Sequence, residues 1–185
     1  MKVIPQEIPE LLLLEPKVFG DDRGFFMELF HAKRYADAGI PGPFVQDNYS
    51  RSAKGTLRGL HFQEPQGQGK LVQVLAGSVF DVAVDVRRGS PTFGRWVGVE
   101  LSAENRRQLW IPPGFAHGFC VTSATADFHY KCTTLYAPEV ERCIAWDDPD
   151  LAIPWPVTEP LMSPKDLRAP RLKDAQVLPS LSSSP

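Results

Sequence analysis

Phe80-Asp81-Val82-Ala83-Val84-Asp85-Val86 is the stretch that decides the architecture of this chain. Phe80, Val82, Val84 and Val86 alternate with Asp81, Ala83 and Asp85, and a strict period of two places the two sets on opposite sides of a pleated strand. The expectation is an apolar face on a core and a polar face turned away. Just upstream, Leu71–Leu75 is a second β-rich run, and Ala76-Gly77-Ser78 between the two reads as a hairpin turn. Downstream, Trp96–Leu101 and Leu109–Ile111 are short strands separated by the polar turn Ser102–Arg107. Phe128–Tyr136 alternates again, with Phe128, Tyr130, Cys132, Thr134 and Tyr136 sharing one face. Only Phe30–Ala38, stopped by Gly39, has the length and residue types of a helix. Short strands punctuated by turns predict an all-β fold, an antiparallel sandwich or barrel with one or a few short helices.

Composition agrees. The 185 residues suit one domain over 1–185, and a chain of that size buries roughly 70% of its unfolded surface. The 18 prolines, about twice the usual share, rule out long helices, because proline in a helix interior costs about 3 kcal/mol. Lys+Arg at 20 against Asp+Glu at 22 leave a net charge of -2, which argues against nucleic acid or a membrane surface as partner. The 3 cysteines, Cys120, Cys132 and Cys143, form no CxxC pair, and an odd count fits a reduced, cytoplasmic protein. Leu11–Leu14 is too short, and too closely flanked by Glu10 and Glu15, for a signal peptide or a membrane span. From about Pro170 the chain turns polar and is expected to fray.

Several polar residues fall inside strand-like segments. Tyr130 and Tyr136, six apart, would point the same way about 20 Å apart along an unbroken strand. They either enter one cavity at two depths or sit in the core with their hydroxyls paired to backbone. In Leu57-Arg58-Gly59-Leu60-His61-Phe62-Gln63, His61 and Gln63 share a face, and an imidazole is a natural base near neutrality. Pro112-Pro113-Gly114-Phe115-Ala116-His117 is a rigid turn that delivers a second histidine. Strand histidines followed by Pro-x-Gly-x-x-His resemble the two cupin motifs. Metal-binding cupins carry His-x-His and a glutamate, whereas this chain reads His61-Phe62-Gln63. No metal is expected, since too few ligands remain.

Longer blocks sharpen the resemblance. Val18–Phe26, Phe44–Asn48, Leu57–Gln63, Gln68–Val72, Phe80–Asp85, Leu109–Pro112, Gly114–Phe119, Tyr130-Lys131 and Lys165-Asp166 resemble, in order, the dTDP-4-dehydrorhamnose 3,5-epimerase family. They run from near residue 14 to near residue 170. The resemblance implies a metal-free, cofactor-free cupin-type jelly roll that forms a homodimer. It also implies a dTDP-linked 4-keto-6-deoxyhexose as substrate, inverted at C3 and C5.

Both carbons flank the C4 ketone, so the chemistry needs a base, an acid on the opposite face, and a donor at the enolate oxygen. The family match assigns His61 as base, Asp166 as its paired carboxylate, Tyr130 as acid and Lys70 as enolate donor. It places Arg23 and Arg58 on the diphosphate, a use suited to bidentate guanidinium groups, and stacks Tyr136 on thymine. Glu28, Gln46, Asp47, Asn48, His117, Glu141 and Lys165 match further substrate contacts. A one-carbon epimerase, a metal cupin and a sugar-binding cupin without catalysis are the rival readings.

Overall fold

The computed structural model describes residues 1–181; Ser182-Ser183-Ser184-Pro185 lie outside the described residues. The strands are β1 (Lys2–Pro5), β2 (Leu12–Glu15), β3 (Val18–Asp21), β4 (Gly24–Met27), β5 (Gln46–Ala53), β6 (Leu57–Gln63) and β7 (Lys70–Ala76). They continue as β8 (Ser78–Asp85), β9 (Trp96–Ser102), β10 (Gln108–Ile111), β11 (Phe115–Val121), β12 (Thr125–Cys132) and β13 (Glu141–Cys143). The helix α1 (Ala32–Asp37) follows β4 and is closed by Gly39 in a left-handed conformation.

Two antiparallel sheets face each other in a jelly-roll sandwich. One runs β1-β2-β10-β7-β12-β5, the other β13-β6-β11-β8-β9, and β3-β4 forms a separate two-stranded hairpin. Val72, Val74, Leu109, Ile111 and Phe128 of the first sheet pack against Val79, Ala83, Val97, Leu101, Phe115 and Phe119 of the second. Period-two patterning is thus satisfied across the sandwich.

The polar face of Phe80–Asp85 is not turned to solvent. Asp81, Ala83 and Asp85 are fully buried, as are Val82, Val84 and Val86. The apolar face is covered by Ile144, Leu151, Trp155, Leu172, Ala175 and Leu178, a second core outside the five-stranded sheet. The other face, which carries Asp81, looks into the sandwich. The covering segment also corrects the expected frayed tail: Leu172 and Ala175 are buried, and Ser180 bridges to Arg88.

Ala76-Gly77-Ser78 does not close a hairpin, because β7 and β8 belong to different sheets. Gly77 carries the chain across at φ 74°, where a Cβ would lie 2.0 Å from the Thr125 carbonyl oxygen. A fourth difference lies after β12. Its strand geometry stops at Cys132, and the chain bends before Tyr136. Tyr130 and Tyr136 are therefore not two points on one strand.

Candidate active site

A cavity of about 640 Å³ opens between the sheets, and among the residues lining it are Asn48, Arg58, His61, Lys70, His117, Tyr130, Lys165 and Asp166. Five strands, β5, β7 and β12 of one sheet and β6 and β11 of the other, converge there with one loop. β6 and β11 pair so that His61 and His117 are direct partners, and the register then shifts before Arg58 meets Phe119. Arg58 and His61, three apart, would face opposite ways in a regular strand. The bulge returns both to the cavity. It is centred on Gly59, at φ 135°, where a Cβ would stand 2.5 Å from Gly118 Cα. Only glycine permits this approach.

His61 Nε2 lies 2.7 Å from Asp166 Oδ1. The carboxylate comes from a 3-10 turn, Asp166–Arg168, and is itself buried while the imidazole is partly open to the cavity. Burial pushes the Asp166 carboxyl up, but the bonds from His61 and Ser163 pull harder, and the net position is below the ordinary value. Lys70 opens β7 and is Cys132's partner across the ladder. Burial drives its ammonium below the ordinary lysine value, against the pull of Cys132, Glu141 and Asp81. No carboxylate of the described residues forms an ion pair with it. A buried cation without a partner is costly unless something else arrives to meet it.

Tyr130 faces the cavity from β12, one ring along from Phe128. Burial pushes its phenol up to about 12, so it stays protonated near neutral pH and has a proton to give. Behind the cavity, His117 donates to Asp81 over 2.9 Å, a carboxylate on which the sequence reading placed no role. The strand alternation could have found it, because a charge on the minority face of a strand buried on both sides needs a reason.

The remaining residues divide into those at the rim and those elsewhere. Tyr136 is half exposed; its hydroxyl donates to Glu141 at 2.9 Å, and Glu141 in turn pairs with Lys165. Three glutamines hold the bend that presents it. Gln46 Oε1 accepts from the Tyr136 amide at 2.8 Å, Gln63 Oε1 from the Ala137 amide at 3.0 Å, and Gln68 donates to the Thr134 carbonyl at 2.7 Å. Gln63 therefore holds backbone where metal cupins place a ligand. Asn48 lines the cavity, donating to Cys132 Sγ and accepting from Gln46, which itself holds the bend at Tyr136.

Asp47 does not face the site. It alternates to the other face of β5 and pairs with Lys131 at 2.9 Å. Arg23 and Glu28 are also away from the cavity. Arg23 sits in the β3-β4 turn, paired with Asp21 at 2.5 Å, and Glu28 pairs with Arg34. Among the described residues, no group of three or more His, Cys, Asp or Glu side chains is placed to hold a metal ion.

The family model for dTDP-4-dehydrorhamnose 3,5-epimerase matches residues 5–174. The chain is 59% identical over 181 residues to a dTDP-4-dehydrorhamnose 3,5-epimerase of Pseudomonas aeruginosa, covering 97% of this chain and all of that one. It is similar to a solved structure of a dTDP-6-deoxy-D-glucose-3,5-epimerase from Legionella pneumophila in complex with dTDP-4-keto-L-rhamnose. There the TM-score is 0.95 and the identity 61%, over 98% of this chain and 99% of that one. A Streptomyces niveus protein described as a 3-epimerase is 40% identical, over 97% of this chain and 89% of its own length.

Proposed function

The chain belongs to the dTDP-4-dehydrorhamnose 3,5-epimerase family, and from that premise we propose that it inverts C3 and C5 of dTDP-4-dehydro-6-deoxy-D-glucose, giving dTDP-4-dehydro-L-rhamnose. The observation that carries the reading is the pairing of His61 with Asp166 beside an unpaired Lys70, with Tyr130 lining the same cavity. That is a base, an oxyanion donor and an acid around one space.

The steps follow from the chemistry of a carbon acid. His61, whose Nε2–H is given to Asp166, takes the C5 or C3 proton on its free nitrogen. The electron pair moves into the C4 carbonyl, and the enolate oxygen forms where the Lys70 ammonium waits. A preorganised cation in a poorly solvated site stabilises charge that exists only on the way to product. Tyr130 then returns a proton from the other face, and the carbonyl reforms with the carbon inverted. One proton is taken and one given, so no redox partner is consumed.

At the nucleotide end, Tyr136 stacks on thymine, while Arg58, Lys165, Gln46 and Asn48 meet the diphosphate and the base. Arg23 and Glu28 reach a site only if a second copy supplies them. The β3-β4 hairpin that carries Arg23 exposes Phe19, Phe25 and Phe26, at 52%, 60% and 69%, an apolar surface that suits burial in a homodimer. The working place is the cytoplasm, in keeping with free cysteines at positions 120, 132 and 143.

Incubation with the dTDP-4-keto sugar in deuterated water, followed by proton NMR of the ring, tests the reading. Loss of signal at both C3 and C5 with inversion is expected. Exchange at C3 alone would reassign the chain to the one-carbon class of its Streptomyces niveus relative. No exchange at either carbon would remove the epimerase reading.

A further inference from the structure

Two histidine–carboxylate pairs stand side by side in this molecule, and the mechanism above uses one. The second joins His117 Nε2 to Asp81 Oδ2 at 2.9 Å. Asp81 is fully buried, its side chain 0% exposed against 8% for His117. Its other oxygen, Oδ1, is buried and has no hydrogen-bond partner among the described residues. A buried carboxylate holding one hydrogen bond weakens a fold, and an apolar residue of similar size would serve packing better. Its presence beneath a ligand cavity points to a task there.

The imidazole is held on every side. It stacks on Phe128 at 6.0 Å with the rings 23° apart, and lies 6.4 Å from Phe119. With Nε2 committed to Asp81, Nδ1 is the nitrogen left to meet a ligand in the cavity that His117 lines. Burial holds this imidazole below its ordinary value, Lys70 and His61 push it the same way, and Asp81 opposes them. The ring is therefore neutral, with its one proton on Nε2.

We infer that Asp81 is a positioning residue that fixes His117 as an Nε2–H tautomer, so that Nδ1 accepts a hydrogen bond from a ring hydroxyl of the substrate. The inference rests on the proposed 4-keto-6-deoxyhexose substrate, in which C4 is a ketone, C5 bears the ring oxygen and C6 is a methyl. The only hydroxyls on that ring are at C2 and C3. Holding one of them anchors the hexose beside His61 while its two neighbouring centres invert, a role that needs an acceptor and would be lost to a donor.

The unpartnered Oδ1 makes the test sharp. In Asp81→Asn, an amide NH₂ placed at the Oδ1 position would find no acceptor, so it turns to His117 and donates to Nε2. The histidine proton is then forced to Nδ1. Nitrogen-15 NMR of histidine-labelled protein reads the tautomer without substrate: wild type is expected as Nε2–H, and Asp81→Asn as Nδ1–H. With substrate, kcat/KM of the variant should fall about tenfold or more, the usual effect of replacing an acceptor by a donor against a substrate hydroxyl. A 2-deoxy or a 3-deoxy analogue identifies the hydroxyl, since for one of the two the variant and wild type should differ little. An Nδ1–H or doubly protonated His117 in wild type overturns the inference, and that measurement requires no variant to fold. It is also overturned if the variant flips the tautomer with kcat/KM intact, or if the penalty persists with both analogues. Wild-type protein with no deuterium exchange at C3 or C5 would instead remove the epimerase reading, leaving the tautomer result to stand separately.

Discussion

Asp166→Asn is the substitution that most directly examines the base. The change keeps the shape of the side chain while removing its charge and turning one acceptor oxygen into a donor NH₂, at a contact of 2.7 Å to His61 Nε2. As His61 takes a proton from carbon, an imidazolium forms next to the carboxylate. Two unit charges whose centres lie about 4 Å apart attract by about 4 kcal/mol at the effective dielectric of a protein boundary. The imidazole is 26% exposed and the carboxylate 5%, so solvent screens part of this. The proton is also only partly transferred at the barrier, which leaves about 1–3 kcal/mol, or roughly a five- to 150-fold loss of kcat. KM should change little, because the neutral imidazole of the ground state interacts weakly with the carboxylate. Proton NMR in deuterated water measures the rate at which the C3 and C5 signals disappear, with the melting temperature as a check on folding. Wild-type exchange rates in a folded Asp166→Asn protein would refute the pairing as a catalytic device.

Tyr130→Phe preserves the ring that packs on Phe128 and should lose inversion while some deuterium exchange with retention persists; inversion of C3 and C5 at the wild-type rate would show that Tyr130 is not the acid. Tyr136→Ala should weaken dTDP binding about tenfold, since base–aromatic stacking is worth about 1–3 kcal/mol, and isothermal titration with dTDP reads this directly. Asp85 is fully buried among Arg87, Ser90 and Thr92. Burial raises its carboxyl, those partners lower it further, and the net position is below the ordinary value. A depressed carboxyl stabilises the fold above its unfolded pKa of about 3.9 and loses that contribution as pH falls through the folded value. Asp85→Asn should therefore destabilise the protein at pH 7 by about 3 kcal/mol, a gap that narrows in urea titrations run at progressively lower pH below about 4.

Alternation and turn chemistry are local properties, and they are enough to determine that this chain builds short antiparallel strands and one brief helix. Trp96–Leu101, Leu109–Ile111 and Leu71–Leu75 all fall within strands of the structure. The residue blocks shared with the epimerase family likewise named His61, Lys70, Tyr130 and Asp166 before any geometry was available, and these four line one cavity.

Which face of a strand is inside is not a local property. Phe80–Asp85 reads as half polar, yet both faces are buried, because residues from Ile144 onward return to cover the apolar side. Whether Gly77 turns a hairpin or crosses between sheets depends on Thr125 pressing against it, 48 residues later in the chain. The bulge at Gly59 is a matter of pairing with Gly118, and it alone lets Arg58 and His61 share a cavity. Asp166 meets His61 across 105 residues, a separation at which residue order carries no geometric information. Sequence by itself determined the strand chemistry, the near-neutral charge balance and the candidate site residues. Tertiary packing decided which of those groups face each other, since burial, bulges and long-range pairing come from contacts between segments that have no fixed relation until the two sheets close.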